Sequence, residues 1–179
     1  ATRDAESLIT DPQVLAEARA FRAQEGIHSA VHRKHVMALT VRHPGLQAAL
    51  DRSIELYDQL YDEQDLKYHL AYVGGLESIF TPSFRLMLDN REPLFSGGDA
   101  RVASLFLWHF CEEIEHRSSG VMVYDHVYGE YFYRVSRFKE FMRHVGTVIE
   151  AITQVFRDVF PDIAPEHFTE ETASENVMA

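Results

Sequence analysis

Residues 108–116 read WHFCEEIEH and place His109, Glu112, Glu113 and His116 at relative positions i, i+3, i+4 and i+7. On a helix these spacings share one face, and long side chains three or four residues apart touch. The apolar run VASLFLW (102–108) leads directly into them. Four groups that prefer water therefore continue a stripe that belongs in a core. Such a face either meets solvent or holds something.

Outward from that stretch, the spacing Glu-x-x-His recurs as Glu25 with His28 in QEGIHSAVH (24–32), beside Glu113 with His116. Three-residue spacing lets a carboxylate and an imidazole on one helix reach the same metal ion, and two such helices can hold two ions between them. Ferritin-like di-iron and di-manganese bundles combine two such motifs with a single Glu from each of two further helices. Glu77, in VGGLESIF (73–80), fits the single-Glu role. A lone carboxylate in an apolar helix is costly unless it is paired or bound to a cation. Gly74 and Gly75, one turn earlier, allow close backbone approach.

Each of these residues also has a plainer reading. The two Glu-x-x-His pairs could be local polar pairs on surface helices, and Glu77 could bridge to an arginine such as Arg134. His109 is either a third ligand from its helix or a hydrogen-bonded core histidine. His32, one turn beyond His28, fits an outer shell that orients a ligand. Glu112 points about 100° away from Glu113, towards an outer shell or solvent. Cys111 reads as a small buried side chain. Tyr72, Tyr124, Tyr128 and Phe80 could line a substrate pocket or form core.

The remaining chain predicts helices. Asp11 and Pro12 open one over about 12–40 as N-cap and first residue. Pro44 and Gly45 turn the chain into a second at about 46–61. A third runs from about 66 to 88 with Pro82 inside it, where it should bend the helix or remove a bond. NREPLFSGGD (90–99) reads as loop, with Asp99 as the next cap. A fourth helix covers 100–117, SSG interrupts it, VMVYDHVYGEYF continues helical, and a long helix follows over about 134–160. The fold class is therefore all-α, a ferritin-like bundle of about five to six helices. Residues 1–168 form a single helical metal-binding domain, and 169–179 an acidic disordered tail.

Composition bounds the partners. The 179 residues carry 28 acidic and 17 basic side chains, a formal charge of −11, which disfavours nucleic acid and anionic membrane surfaces. A single cysteine excludes an internal disulfide and cysteine-based zinc sites. With no apolar window long enough to span a bilayer and no signal-peptide pattern, a cytoplasmic location is expected. No Gly-x-Ser-x-Gly or phosphate-loop pattern is present.

QEGIHSAVH, LESIFT (76–81) and WHFCEEIEHRS (108–118), followed by VYDHVYGEYFYR (123–134), resemble in order and spacing a bacterial family catalogued as predicted metal-dependent hydrolases. The resemblance covers most of 11–168, including APEHF (164–168), and implies a metal-dependent hydrolase. The spacing of His109, Glu113 and His116 is also similar to the last metal helix of di-iron arylamine N-oxygenases, which implies O2 chemistry. Family members carry an earlier Phe-Pro-x-Gly-Glu helix that has no counterpart here, where Glu6 is the nearest upstream carboxylate; they tend to have Asp where this chain has Met122. A fourth carboxylate could come from a second copy in a homodimer.

The leading expectation is a non-haem di-iron or Fe/Mn oxidase or oxygenase. Glu25, His28, Glu77, His109, Glu113 and His116 hold two metal ions, Fe first and Mn or Zn as alternatives, acting on O2 and a small molecule. The alternatives are a hydrolase using a metal-bound hydroxide and a non-catalytic metal-binding bundle with an incomplete site.

Overall fold

A computed structural model describes residues 1–163, and the expected tail (169–179) and APEHF lie outside the described residues. The order is α1 (Thr2–Ala5), a 3-10 turn (Glu6–Leu8), α2 (Pro12–Arg42), a second 3-10 turn (Pro44–Leu46), α3 (Gln47–Glu63), α4 (Leu66–Asp89), α5 (Arg91–Phe95), α6 (Ala100–Glu115), α7 (Ser119–Val127), α8 (Tyr131–Ser136) and α9 (Phe138–Val159). Among the described residues there is no strand, and the chain is all-α as expected.

The helix starts follow the sequence chemistry. Asp11 accepts hydrogen bonds from the backbone N–H groups of Gln13 and Val14, with Pro12 at the first helical position. Asp65 caps α4 through Tyr68 N–H, and Asp99 caps α6 through Arg101 N–H. Pro82 lies within α4, which continues to Asp89; the proline supplies no N–H to its preceding turn, yet the helix does not end there.

Four expectations are corrected. The segment read as loop contains the short helix α5, because Arg91–Phe95 has enough helical propensity to form one turn and more before the glycines stop it. α6 ends at Glu115, not 117: His116 is its C-cap, and a turn at Arg117–Ser118 separates it from α7. The helical continuation beyond SSG stops at Val127, where Gly129 adopts φ +66°, a value that favours glycine. The last long helix is correspondingly divided, with α8 ending at Ser136 and α9 starting at Phe138.

α4 is the central element, packing on α6, α7, α8 and α9; α2 packs on α6 and α7, and α3 on α9. Tyr68, Leu70, Ala71 and Tyr72 of α4 meet Val123 and Tyr124 of α7 and Phe141 and Val145 of α9 in one apolar core. The crossing of α4 and α7 is glycine on glycine. A Cβ on Gly74 would come within 2.9 Å of the Val121 backbone nitrogen and 3.0 Å of the Gly120 carbonyl carbon. The bare helix surface at Gly74 and Gly120 lets α4 and α7 approach, and the turn between α6 and α7 brings His116 back towards Glu77 of α4. Tyr72 and Tyr124 are buried, and Phe80 and Tyr128 pack against the core, so their apolar reading holds. No helix among the described residues is long and apolar enough to cross a membrane.

Candidate metal centre

α2 contributes Glu25, His28 and His32, one helical turn apart. α6 contributes His109, Glu112 and Glu113, with His116 at its C-cap, and α4 contributes Glu77. Packing of these three helices takes the stripe out of water: His28 is 3% exposed, His116 5% and Glu113 8%. Burying that many polar side chains is unfavourable unless each finds a partner.

The partners are one another. His28 Nδ1 lies 3.2 Å from Glu113 Oε1 and 3.4 Å from Glu25 Oε1. His116 Nε2 lies 3.6 Å from the same Glu25 oxygen. Glu25, His28, Glu113 and His116 can each offer one donor atom such that all four lie within 4.8 Å of one another. Yet Glu25 Oε1, His28 Nδ1 and His116 Nε2 are buried without any hydrogen-bond partner. Donors around one tetrahedral ion at about 2.0–2.1 Å would stand about 3.3–3.4 Å apart. Three of the six spacings, at 3.2, 3.4 and 3.6 Å, lie near that edge length, and the lack of hydrogen bonds at Glu25 Oε1, His28 Nδ1 and His116 Nε2 is what ligand atoms converging on a cation would show. The residues present therefore fit a divalent metal, with mixed imidazole and carboxylate donors.

Around these four stand residues that aim them. Glu112 Oε2 is 2.9 Å from His28 Nε2, so the imidazole's far nitrogen donates to a carboxylate and its near nitrogen faces the cluster. Glu112, read as pointing about 100° away from Glu113, reaches His28 because α2 runs beside α6. Glu77 Oε2 lies 3.3 Å from His116 Nδ1. The alternative pairing of Glu77 with Arg134 does not form: Arg134 lies over the Tyr124 and Tyr131 rings. His109 Nε2 is 2.7 Å from Glu113 Oε1, and His109 Nδ1 is 2.9 Å from His32 Nε2. All six residues expected from the sequence as ligands, and both expected behind them, thus meet in one connected group. Glu6, the nearest upstream carboxylate, is instead committed to Arg19 and Arg22 on α2. Cys111 is exposed, contrary to expectation, because it lines an open surface cleft with Arg85, Leu88 and Asp89 of α4.

The electrostatics reflect crowding of like groups. Burial, with repulsion from Glu113, raises the Glu25 carboxyl against the pull of the histidines. Burial also pushes Glu77 up to about 7, although contact with His116 opposes it. Burial acts on Glu113 in the same direction, but the hydrogen bond to His109 and the charges of His116, His109 and His28 outweigh it, leaving Glu113 below the ordinary carboxylate range. For His116, burial lowers the value, but Glu77, Glu113 and Glu25 outweigh it and hold the imidazole above its usual range. His32 is held low by burial, then by the charges of His109 and His28.

The wall is not closed. The Glu25 side chain is 40% exposed although its Oε1 is buried, so the cluster approaches the surface along this edge of α2. Aromatic rings line the remaining sides: Phe21 meets His116 edge-on at 5.0 Å between centroids, and Trp108 meets His28 edge-on at 5.1 Å. Rings at those positions exclude water and so strengthen every charge interaction within.

Comparison with curated proteins gives no match, and comparison with solved structures gives none either. A family model described as predicted metal-dependent hydrolase matches residues 1–169, the same helices that bring Glu25, His28, Glu113 and His116 together. This chain belongs to that family.

Proposed function

We propose that the protein is a hydrolase whose divalent metal is held by Glu25, His28, Glu113 and His116. The observation that carries this reading is the set of buried donor atoms, Glu25 Oε1, His28 Nδ1 and His116 Nε2, facing one another without hydrogen bonds. When bound, the ion supplies Lewis acidity, lowering the pKa of a water to about 7 and polarising an ester, amide or phosphate group. The chain's own residues do the rest. Glu112 accepts a hydrogen bond from His28 Nε2–H and so keeps Nδ1 free for the cluster. Glu77 Oε2 stands 3.3 Å from His116 Nδ1, and a small closing of that gap would let it accept a hydrogen bond from Nδ1–H and leave Nε2 free. On this reading Glu77 and His109 orient ligands and are not themselves ligands. Phe21 and Trp108 keep bulk water from the inner side, and a small-molecule substrate enters past the half-exposed Glu25. Four protein donors would fill a tetrahedral zinc shell, so the water would need a fifth position, which zinc gains by expanding its shell and Mn or Fe, with their higher coordination numbers, would offer more readily.

One observation favours a second reading. Glu77 and His109 touch His116 and Glu113, which brings three carboxylates and three imidazoles within reach of two ions. That donor set suits a dinuclear oxidase or oxygenase. The two readings separate in one experiment. Protein loaded with Zn under anaerobic conditions is assayed against chromogenic esters, amides and phosphate esters, with Glu113→Ala as control. Turnover that the Glu113→Ala variant loses is the expected result. No turnover with Zn, together with O2 consumption by the Fe(II)-loaded protein, overturns the hydrolase in favour of the dinuclear reading.

A further inference from the structure

The chain Glu113–His109–His32 has a direction fixed by chemistry. An ionised carboxylate only accepts hydrogen bonds, and a neutral imidazole has one donor and one acceptor nitrogen. Glu113 Oε1 at 2.7 Å therefore favours the proton of His109 on Nε2. His109 Nδ1 is then a bare lone pair, and the group against it is His32 Nε2 at 2.9 Å, which must carry the hydrogen. The neutral His109 ring is thus held in this form from both sides, by the Glu113 acceptor at Nε2 and the His32 donor at Nδ1.

His32 is itself held in place. Its ring meets Phe106 of α6 edge-on at 5.3 Å, and His35, one turn further along α2, meets the same phenyl ring at 5.8 Å. Phe106 lies one turn before His109 on α6, so a single phenyl ring fixes the height of His32 relative to its acceptor. The hydrogen bond of His32 goes to His109, which stands between it and the Glu113 carboxylate. By hydrogen bonding, His32 therefore reaches the Glu113 carboxylate through the His109 ring.

We infer that His32 is a positioning residue: by donating to His109 Nδ1 it locks the His109 ring in the Nε2–H form, and through that ring it fixes which way the Glu113 carboxylate faces. This deepens the proposed function and rests on it only where metal is concerned, since the tautomer assignment concerns the protein alone. Removing an outer group that orients a ligand typically weakens a metal site 10–100-fold.

The test uses the full chain with His32→Leu, which removes the donor, and His32→Gln, whose side-chain amide can restore it. In metal-free protein, the imidazole 15N shifts of His109 report its tautomer. The wild type and His32→Gln should show one Nε2–H form, while His32→Leu should show a mixture. Titration with Co(II) should then give an affinity about 10–100-fold lower and an altered visible band for His32→Leu, with His32→Gln close to wild type. A wild-type tautomer in folded His32→Leu overturns the inference, as does equal loss of affinity in both variants. If the wild type shows the locked tautomer and His32→Leu loses it, but no protein binds Co(II), the chain stands and the metal reading fails.

Discussion

Two buried regions of this protein treat polar atoms in opposite ways. In the core formed by α4, α7 and α9, the polar groups that enter are answered: Tyr124 Oη donates to the Glu130 carbonyl, Tyr72 Oη meets His144 Nδ1 at 2.8 Å, and Ser119 Oγ donates to Glu17 Oε1 of α2. Around Glu25, His28, Glu77 and His116, buried nitrogens and oxygens stand 3.3–3.6 Å apart and make no hydrogen bonds with one another. Native structures rarely leave buried polar atoms unanswered, and those that do reserve them for a cation, a water or a reaction. The same chain satisfies its tyrosines within a few ångströms of α4's apolar face. Among the described residues, Glu6 Oε1, Arg134 Nε and Arg137 Nε are also buried without a hydrogen bond, but five such atoms, from Glu25, His28, Glu77 and His116, gather in this one cluster.

Perturbing the two regions should accordingly give opposite signatures. The largest effect belongs to the answered core. Phe141 is 1% exposed and packs edge-on against Tyr68 and Tyr72. Phe141→Ala should cost about 3–5 kcal/mol of unfolding free energy in urea, while the metal bound per folded chain stays unchanged. A loss of metal in the folded variant would show that core and cluster are not separable.

Changing the unanswered region should do the reverse. Glu77 has its carboxyl raised to about 7. A group whose folded pKa is raised contributes stability that is complete below its unfolded value, near 4.5, and that is lost as pH rises through about 7. Metal-free protein should therefore be less stable at pH 8 than at pH 5.5, by on the order of 2 kcal/mol for Glu77. His116, also raised, acts in the same direction. Glu77→Gln should flatten this dependence and be the more stable of the two at pH 8 without metal; identical melting profiles from pH 5.5 to 8 would remove Glu77 from the account.

The smallest effect returns to the core. Tyr72→Phe leaves His144 Nδ1 without its partner, although His144 Nε2 keeps the Leu56 carbonyl at 3.3 Å. A cost of about 1 kcal/mol is expected, with metal affinity untouched.

Much of this is legible in the sequence. Asp11-Pro12 and Asp99 announce helix starts because capping is a local interaction, complete within three residues. The stripe of His109, Glu113 and His116 and the Glu25–His28 pair are legible because helical periodicity is fixed, and Gly74 because only close approach rewards a glycine there. What stays hidden depends on which helix lies alongside which. Glu112 looks turned away on its own helix, and only the neighbouring α2 gives it His28 as a partner. Glu77 looks able to pair with Arg134, and only the sharp turn after His116 brings that imidazole to it instead. The break near SSG is legible, but its exact place is not: α6 stops at Glu115, and the α7 that follows crosses α4 at Gly120 and Gly74.

The most direct test of the central claim is the metal content of tag-free protein after reconstitution with Zn, Mn or Fe and exhaustive removal of loose ions. One divalent ion per chain, lost when His116 is changed to Ala, is the predicted result. A folded wild-type chain that retains no metal, or one that retains it equally well without His116, would contradict the account.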